Sequence, residues 1–319
     1  MQYLDFEKPI YELETRISEL KEFADGENLE ITNEIKVLTS KLEKLQKEIY
    51  SKLTRWQRVK IARHPQRPYT MDYINYFVDD FIELHGDRGF ADDKALIMGF
   101  GSISGKKVLM VGQQKGRDVK QRQYRNFGMC HPEGYRKALR GFNLANRYKL
   151  PIVIFIDTPG AYPGIEAEER GQAEAIARNL REMCRLRVPI VIVVIGEGAS
   201  GGALGIGLGD RVLMLENSWY SVISPEGCAA ILWKNEAAEK YDVAAEALKV
   251  TAQDASKLGI VDELISEPLG GAHRNLKETA EAIKEHILKT LDELVKYAPA
   301  ELVKKRIGKY RRIGIFITE

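Results

Sequence analysis

Two glycine-rich segments, residues 157–164 and 196–203, carry the residues best suited to chemistry in this sequence. Each follows an apolar run of strand length and is expected to open a helix. The first backbone N–H groups of a helix have no partner within it, and the helix dipole adds partial positive charge there. Glycine lets a ligand approach that backbone closely. Such turns bind anions, including oxyanions that form only during a reaction.

The spacing within the second segment also fits a dinucleotide-binding fingerprint. Gly196, Gly198 and Gly201 have the required order, and Glu216 follows where a ribose-binding acid would lie. A tight strand-to-helix turn with a purely structural role is a further interpretation of either segment. Spacing alone leaves these alternatives open.

A serine nucleophile is a third interpretation of the second segment. Gly198, Ser200 and Gly202 match a nucleophile elbow. A hydrolase of that type needs a histidine base after the serine, which leaves His273 and His286. The first lies in a glycine-containing loop and the second in a charged helix, and nothing in the sequence marks either as a base.

The composition narrows the class of function. The formal net charge of +2 argues against nucleic acid as a partner. Three scattered cysteines lack metal-ligand spacing, so we expect no metal bound by this chain and a reducing cytoplasm. The N-terminus lacks the pattern of a signal peptide, and the apolar runs are too short to cross a bilayer. A cytoplasmic location away from the membrane is therefore expected.

The hydrophobic pattern predicts an α/β fold with parallel strands, because apolar runs alternate with amphipathic segments from about residue 95 onward. Strands are predicted at residues 108–111, 151–157, 189–195, 211–215, 220–223 and 260–265. Helices are predicted at residues 71–84, 133–147, 166–186, 202–208, 251–258 and 275–297, and two further helices at about 226–247.

A helical hairpin is predicted before the α/β part. Residues 9–23 and 31–53 have apolar stripes at helical spacing on either side of Asp25-Gly26. The stripe on the second helix would pack either on the chain's own body or on a partner subunit. The chain is thus divided into a hairpin with its linker at residues 1–62, a domain at 63–297, and a basic tail at 298–319. The tail is expected to be a solvated end.

Seven longer motifs and the turn at residues 196–203 resemble, in order, those of the alpha subunits of bacterial and plastid acetyl-CoA carboxylase carboxyltransferases. One departure is Ala199, where the family pattern leads us to expect glycine. The motifs are ARHPQRPYT at 62–70, GQQKGR at 112–117, NFGM at 126–129, PEGYRKALR at 132–140, FIDTPGAYPG at 155–164, SVISPEGC at 221–228 and EPLGGAHRN at 267–275.

The resemblance implies a ClpP/crotonase-like fold, a ββα superhelix. It also implies that the backbone N–H groups of Gly201 and Gly202 form an oxyanion hole for the ureido oxygen of biotin. Further substrate contacts are expected at the rest of the two segments, namely at Gly160, Ala161, Gly198, Ser200 and Ala203.

The reaction implied by the resemblance moves a carboxyl group from carboxybiotin to acetyl-CoA, giving malonyl-CoA for fatty acid synthesis. Biotin would arrive on a biotin carboxyl carrier protein, after loading by biotin carboxylase. A beta subunit with a zinc ribbon would supply a second oxyanion hole within an α2β2 assembly. The chain itself has no Met-Lys-Met biotin-attachment motif and no ATP-binding P-loop, which suits half of such a site.

A basic stretch at residues 115–140 has two interpretations. It is either a charged surface or an electropositive wall that attracts CoA phosphates or an acidic carrier protein. Lys115, Arg117 and Arg136 are the residues that we expect to take part in the second case.

Overall fold

One mixed β-sheet organises the chain in the computed structural model, which describes residues 3–23 and 29–314. Within these residues, the sheet has the order β1-β2-β3-β4-β5-β6-β8, and β7 pairs with β5. The β1–β2 and β2–β3 pairs are antiparallel and the others are parallel. The strands are β1 (Asp79–Glu83), β2 (Leu96–Ile103), β3 (Lys106–Gln113), β4 (Ile152–Thr158), β5 (Ile190–Ala199), β6 (Arg211–Leu215), β7 (Trp219–Ser221) and β8 (Glu263–Ile265).

Helices connect the strands and cover the sheet. None of those described is both long enough and apolar enough to cross a membrane. They are α1 (Lys8–Phe23), α2 (Leu29–Ser51), α3 (Arg55–Ala62), α4 (Thr70–Phe77), α5 (Val119–Tyr124), α6 (Pro132–Tyr148), α7 (Ile165–Glu169), α8 (Gln172–Met183), α9 (Ser200–Leu204), α10 (Pro225–Trp233), α11 (Tyr241–Leu248), α12 (Ala252–Lys257), α13 (Leu276–Leu294) and α14 (Pro299–Arg311).

The central strands are buried on both faces. In β4, Ile152, Ile154 and Ile156 point into a core that also contains apolar residues of α6 and α8. Val153 and Phe155 alternate with them and pack in a second core with residues of α4 and α13. Parallel strands covered on both sides become continuous apolar runs, which is why the sequence predicts them well. The predicted α/β class is confirmed, as are the central strands and the helices at 133–147 and 275–297.

The predicted helix at residues 71–84 is wrong in its second half. Helix α4 ends at Phe77, and residues 79–83 form β1, which pairs with the unpredicted strand β2. The ring of Phe81 lies over Gly99, where an added Cβ would be only 2.5 Å from its Cζ atom. The helical spacing of aromatic residues was therefore misleading, because this ring fits a glycine in a distant strand.

Two other predicted helices need correction. The helix at 166–186 is broken into α7 and α8 at Gly171, which has φ +82°. The helix at 202–208 begins at Ser200 and ends at Leu204. The two helices predicted at about 226–247 are confirmed as α10 and α11, with a short 3₁₀ segment between them. Helix α3 was not predicted; it begins with a capping box between Thr54 and Gln57.

The N-terminal hairpin is present as α1 and α2, although its turn at Asp25-Gly26 lies outside the described residues. Ile10, Tyr50 and Ile61 form a small core, against which the second half of the α2 stripe packs. The Tyr50 hydroxyl donates to Glu7 Oε1 at 2.5 Å. The chain's own body thus covers this half of the stripe, while a partner surface on the rest stays a prediction.

The basic tail is not a solvated end. Pro299 begins α14, which places the Arg306 side chain in the protein interior at 1% exposure. Its guanidinium donates to both carboxylate oxygens of Asp210, at 2.9 and 2.7 Å. It also donates to the backbone carbonyls of Met183, Leu186 and Val188 at 2.8–2.9 Å. These five bonds use all the donors that a guanidinium has.

Replacing Arg306 with methionine should destabilise the protein by about 3–5 kcal/mol, because it leaves Asp210 as a buried, unpaired charge. Urea unfolding measures this change. Lys304→Met is the matched control, since this exposed lysine of the same helix should contribute less than about 0.5 kcal/mol. Equal unfolding midpoints for the two variants would contradict the role given to Arg306.

Candidate active site

The two glycine segments lie side by side because β3, β4 and β5 are adjacent parallel strands. Their carboxyl ends meet at one edge of the sheet, where open α/β sheets commonly bind ligands. Thr158, at the end of β4, pairs with Gly198 in β5. The pairing brings the first segment directly against the second.

The second segment differs from the predicted turn. Residues 196–199 continue β5, because Glu197, Gly198 and Ala199 pair with β7. The chain turns only at Ser200, which has φ +54° and begins α9. This left-handed conformation is uncommon for a residue with a side chain, and it makes the change from strand to helix abrupt.

The start of α9 presents unpaired backbone donors. Within the described residues, the N–H groups of Gly201 and Gly202 donate to no protein acceptor. The Ala161 N–H, in the first segment, is also without one, whereas the Gly160 N–H donates to Thr158 Oγ1 at 3.1 Å. Ser200 is exposed and Gly201 and Ala161 are partly exposed, whereas Gly202 is buried against the first segment. The expected hole therefore has the donors that it needs.

Gly202 lies against the backbone of the first segment. A Cβ atom added there would be 2.3 Å from the carbonyl carbon of Gly160 and 2.6 Å from the nitrogen of Ala161. No side chain fits at that distance without moving one of the segments. Close packing of the two backbones therefore requires glycine at position 202.

Gly201 has more room, because an added Cβ would approach only Ile176 Cδ1, at 3.3 Å. Gly198 is confined by Tyr220, whose ring would be 2.4 Å from an added Cβ. Ala199, the departure from the family pattern, has φ −107° and packs in a small apolar core. Its methyl group is accommodated. Ala203 is buried in the main core, so only its backbone is available to a ligand.

Lys115 joins the strand ends through a buried charge cluster. Its Nζ lies 2.6 Å from Asp157 Oδ1 and 2.5 Å from Glu197 Oε2. Arg63 Nε is 2.6 Å from the other oxygen of Glu197. The backbone N–H of Glu197 also donates to Asp157 Oδ1, at 3.0 Å. One cation thus holds the carboxylates at the ends of β4 and β5 together.

Two groups of the cluster, Glu197 and Lys115, keep their charges despite burial, whereas burial raises the pKa of the third, Asp157, although Lys115 opposes this. Burial by itself would raise the pKa of Glu197, but Lys115 and Arg63 lower it below its ordinary value. Burial opposes the charge of Lys115 as well, yet Asp157 and Glu197 raise its pKa above the usual value. Opposite charges thus outweigh desolvation at both groups.

The three basic residues expected to attract anions have different partners. Lys115 is neutralised by two carboxylates, as described. Arg117 pairs with Asp72 at 2.5 Å and lies over the ring of Tyr69. Arg136 pairs with two carboxylates, those of Asp87 and Glu133, both at 2.8 Å. The structure does not bring these cations together, and an anion-attracting role for them stays a prediction.

The serine hydrolase interpretation finds no geometric support. In the described part of the chain, Ser200 Oγ has no histidine within hydrogen-bonding distance. His273 stacks on His64 with ring centroids 3.7 Å apart, and burial lowers its pKa to about 3. His286 bonds to the Ala282 carbonyl of its own helix.

The dinucleotide fingerprint is wrong for a structural reason. Its first glycines should form the turn that opens a helix. Gly196 and Gly198 instead lie inside β5, where Asp157 and Tyr220 pack closely on them. A pyrophosphate would have no access to this backbone.

A cavity of about 240 Å³ opens beside the charge cluster. Lys115 and Glu197 form part of its wall, with Arg63, Tyr69 and Phe127 among the other residues. The sequence pattern predicts neither this cavity nor the pairing of Lys115 with Asp157. A signal was available in the sequence, because Lys115, Asp157 and Glu197 lie at or shortly after the carboxyl ends of predicted apolar strands.

Comparison with solved structures identifies the fold. A transcarboxylase 12S structure aligns with 71% of this chain and 44% of its own length, at TM-score 0.55 and 23% identity. A Pseudomonas malonate decarboxylase hetero-tetramer in complex with coenzyme A aligns with 68% of this chain and 86% of the other, at TM-score 0.54 and 17% identity. These similarities confirm the expected crotonase-like fold.

Comparison of sequences identifies the family. Proteins called acetyl-coenzyme A carboxylase carboxyl transferase subunit alpha, from Flavobacterium johnsoniae and Geobacter metallireducens, are each 54% identical to this chain. The first alignment covers 98% of this chain and 99% of the relative, and the second covers 98% of both. The family model described as acetyl co-enzyme A carboxylase carboxyltransferase-like matches residues 3–314. The chain therefore belongs to the acetyl-CoA carboxylase carboxyltransferase alpha-subunit family.

Proposed function

We propose that this chain is the half of a carboxyltransferase that holds carboxybiotin, and that it works with a beta subunit to convert acetyl-CoA to malonyl-CoA. The observation that carries the proposal is the pair of unpaired N–H groups at Gly201 and Gly202, at the start of a helix that the first glycine segment supports. Membership of the family supports the reaction class.

The donors suit a group that gains negative charge during the reaction. Carboxybiotin supplies an activated carboxyl group, and its ureido oxygen becomes more negative as the carboxyl group leaves. Two N–H groups aimed at that oxygen stabilise the charged state more than the starting state, which is how binding lowers a barrier. One such donor contributes about 3–4 kcal/mol by the precedent of other oxyanion holes.

The protein holds these donors in place before the substrate arrives. Ser200 fixes the abrupt change of direction, and close packing fixes Gly202 against Gly160 and Ala161. Preorganised dipoles need no rearrangement as the charge develops. The unpaired N–H of Ala161 is a third donor that we propose lines the same substrate site.

The rest of the reaction requires partners. We propose that the beta subunit, with its zinc ribbon, stabilises the enolate of acetyl-CoA in a second hole, within an α2β2 assembly. A biotin carboxyl carrier protein would bring carboxybiotin, made by biotin carboxylase, to the interface between the subunits. The proposed place of action is the cytoplasm. Lys115, Arg117 and Arg136 are proposed to contribute only modest attraction to CoA or carrier, because carboxylates compensate their charges.

Activity should require both subunits. The purified chain, mixed with malonyl-CoA and biocytin, should release acetyl-CoA only when the beta subunit is added, since each subunit provides one hole. Release is measured by coupling acetyl-CoA to a chromogenic assay, and each subunit alone is the control. Full activity of this chain alone, or none in the mixture, would contradict the proposal.

Gly202→Ala should lower kcat of the mixture by about 10²–10³-fold, the loss expected for one donor of an oxyanion hole. The new methyl group would push the helix start away from the 160–161 backbone, so that the N–H no longer points at the ureido oxygen.

Gly201→Ala is the matched control, since it adds the same methyl group without touching the first segment. It should lower kcat less than about tenfold, and any larger effect should be on KM for biocytin. Gel filtration checks that both variants still assemble with the beta subunit. Equal kcat values for the two variants would exclude the proposed part played by the Gly202 contact.

A further inference from the structure

We propose that Gln113 is a positioning residue, which sets the orientation of the Gly202 peptide and couples it to the first glycine segment. The proposal rests on the proposed function, because it concerns the same oxyanion hole. Gln113 is the last residue of β3 and is fully buried. Its side chain lies between the two segments.

The Gln113 side chain makes one hydrogen bond to each segment. Its Oε1 accepts from the backbone N–H of Asp157 at 3.1 Å. Its Nε2 donates to the backbone carbonyl of Gly202 at 2.7 Å. The orientation of the amide is unambiguous, because the first partner can only donate and the second can only accept.

The bond to Gly202 replaces one that the helix does not make. In a longer helix this carbonyl would accept from the N–H of Ile206, but that N–H bonds to Ala203 at 3.4 Å. The side chain of Gln113 therefore satisfies an orphan carbonyl at the centre of α9. Glycine has more backbone freedom than other residues, so an external restraint matters most at such a position.

The same side chain controls where the proposed donors point. The Gly202 carbonyl lies in the peptide unit that joins residues 202 and 203, and a single Cα atom separates this unit from the one that carries the Gly202 N–H. Holding the first unit in place therefore restricts the second. Gln113 itself is well anchored, since its backbone carbonyl accepts from Thr70 Oγ1 at 2.6 Å. Misplacement of a reacting group by about 1 Å can cost 10²-fold in rate.

Gln113→Met tests the proposal, because it keeps most of the volume and removes both hydrogen bonds. With the beta subunit, malonyl-CoA and biocytin, kcat should fall about 10–100-fold while KM for malonyl-CoA changes less than threefold. Gln114→Met is the matched control. Gln114 is also buried and bonds to the backbone of Met71 and Lys115, but not to either glycine segment. It should keep kcat within threefold.

Gln113→Glu adds a pH-dependent readout, which a simple loss of protein stability would not produce. A protonated carboxyl group can accept from Asp157 and donate to Gly202 as the amide does, whereas the carboxylate can only accept. The ratio of variant to wild-type kcat should therefore rise as pH falls from about 8 to about 6, since burial raises the pKa of a carboxyl group. The Gln113→Glu variant also tests the proposal by itself if Gln113→Met does not fold.

The outcomes separate this proposal from the proposed function. Three results together support both: exchange activity in the wild-type pair, a loss of kcat in Gln113→Met but not in Gln114→Met, and a loss in Gln113→Glu that is relieved at low pH. Wild-type activity with equal kcat for Gln113→Met and Gln114→Met, or a pH-independent kcat ratio for Gln113→Glu, overturns the role of Gln113 alone. An inactive wild-type pair overturns both.

Discussion

The close contact between Gly202 and the backbone of residues 160–161 is the constraint on which the candidate site depends. An added Cβ would lie 2.3 Å from the Gly160 carbonyl carbon, so the two chains touch as closely as glycine allows. The contact fixes how far α9 stands from the first segment. The unpaired N–H groups of α9 and of Ala161 consequently lie near each other, in a place where neither segment alone would put them.

Buried polar groups hold the strand ends that make this contact feasible. Lys115 pairs with Asp157 and Glu197, and Gln113 bonds to the backbone on both sides. Such groups are costly to bury unless each is satisfied, and here their partners come from three neighbouring strand ends. A change in any of them would therefore displace the glycine backbone, directly through the Gln113 bond to Gly202 or indirectly through the strand ends.

The sequence predicts the buried parts of the fold best. Strands β4 and β5 are apolar on both faces, and their pattern needs no knowledge of the rest of the chain. Strand β1 could not be recognised, because its pairing depends on Gly99 in a strand 16 or more residues away. The basic tail packs on the domain for a similar reason, because Arg306 forms a buried ion pair with the distant Asp210. Local pattern cannot show either partner.

At the candidate site, too, the sequence predicts some features and only the structure shows the others. Glycines 201 and 202 could be named from motif resemblance, but only the structure distinguishes the confined Gly202 from the freer Gly201. Lys115 was expected to attract a ligand's phosphates, and its actual neighbours are two carboxylates of the chain. Spacing along the sequence gives residue types at a site, whereas the distances that decide their roles arise from strand order.

The most direct measurement is a crystal structure of the complex of this chain and the beta subunit with biocytin bound. We expect the ureido oxygen to lie about 2.7–3.1 Å from the backbone nitrogens of Gly201 and Gly202, the distance of an oxyanion-hole bond. A ureido oxygen held by other groups, with these nitrogens facing solvent or the partner subunit, would contradict it.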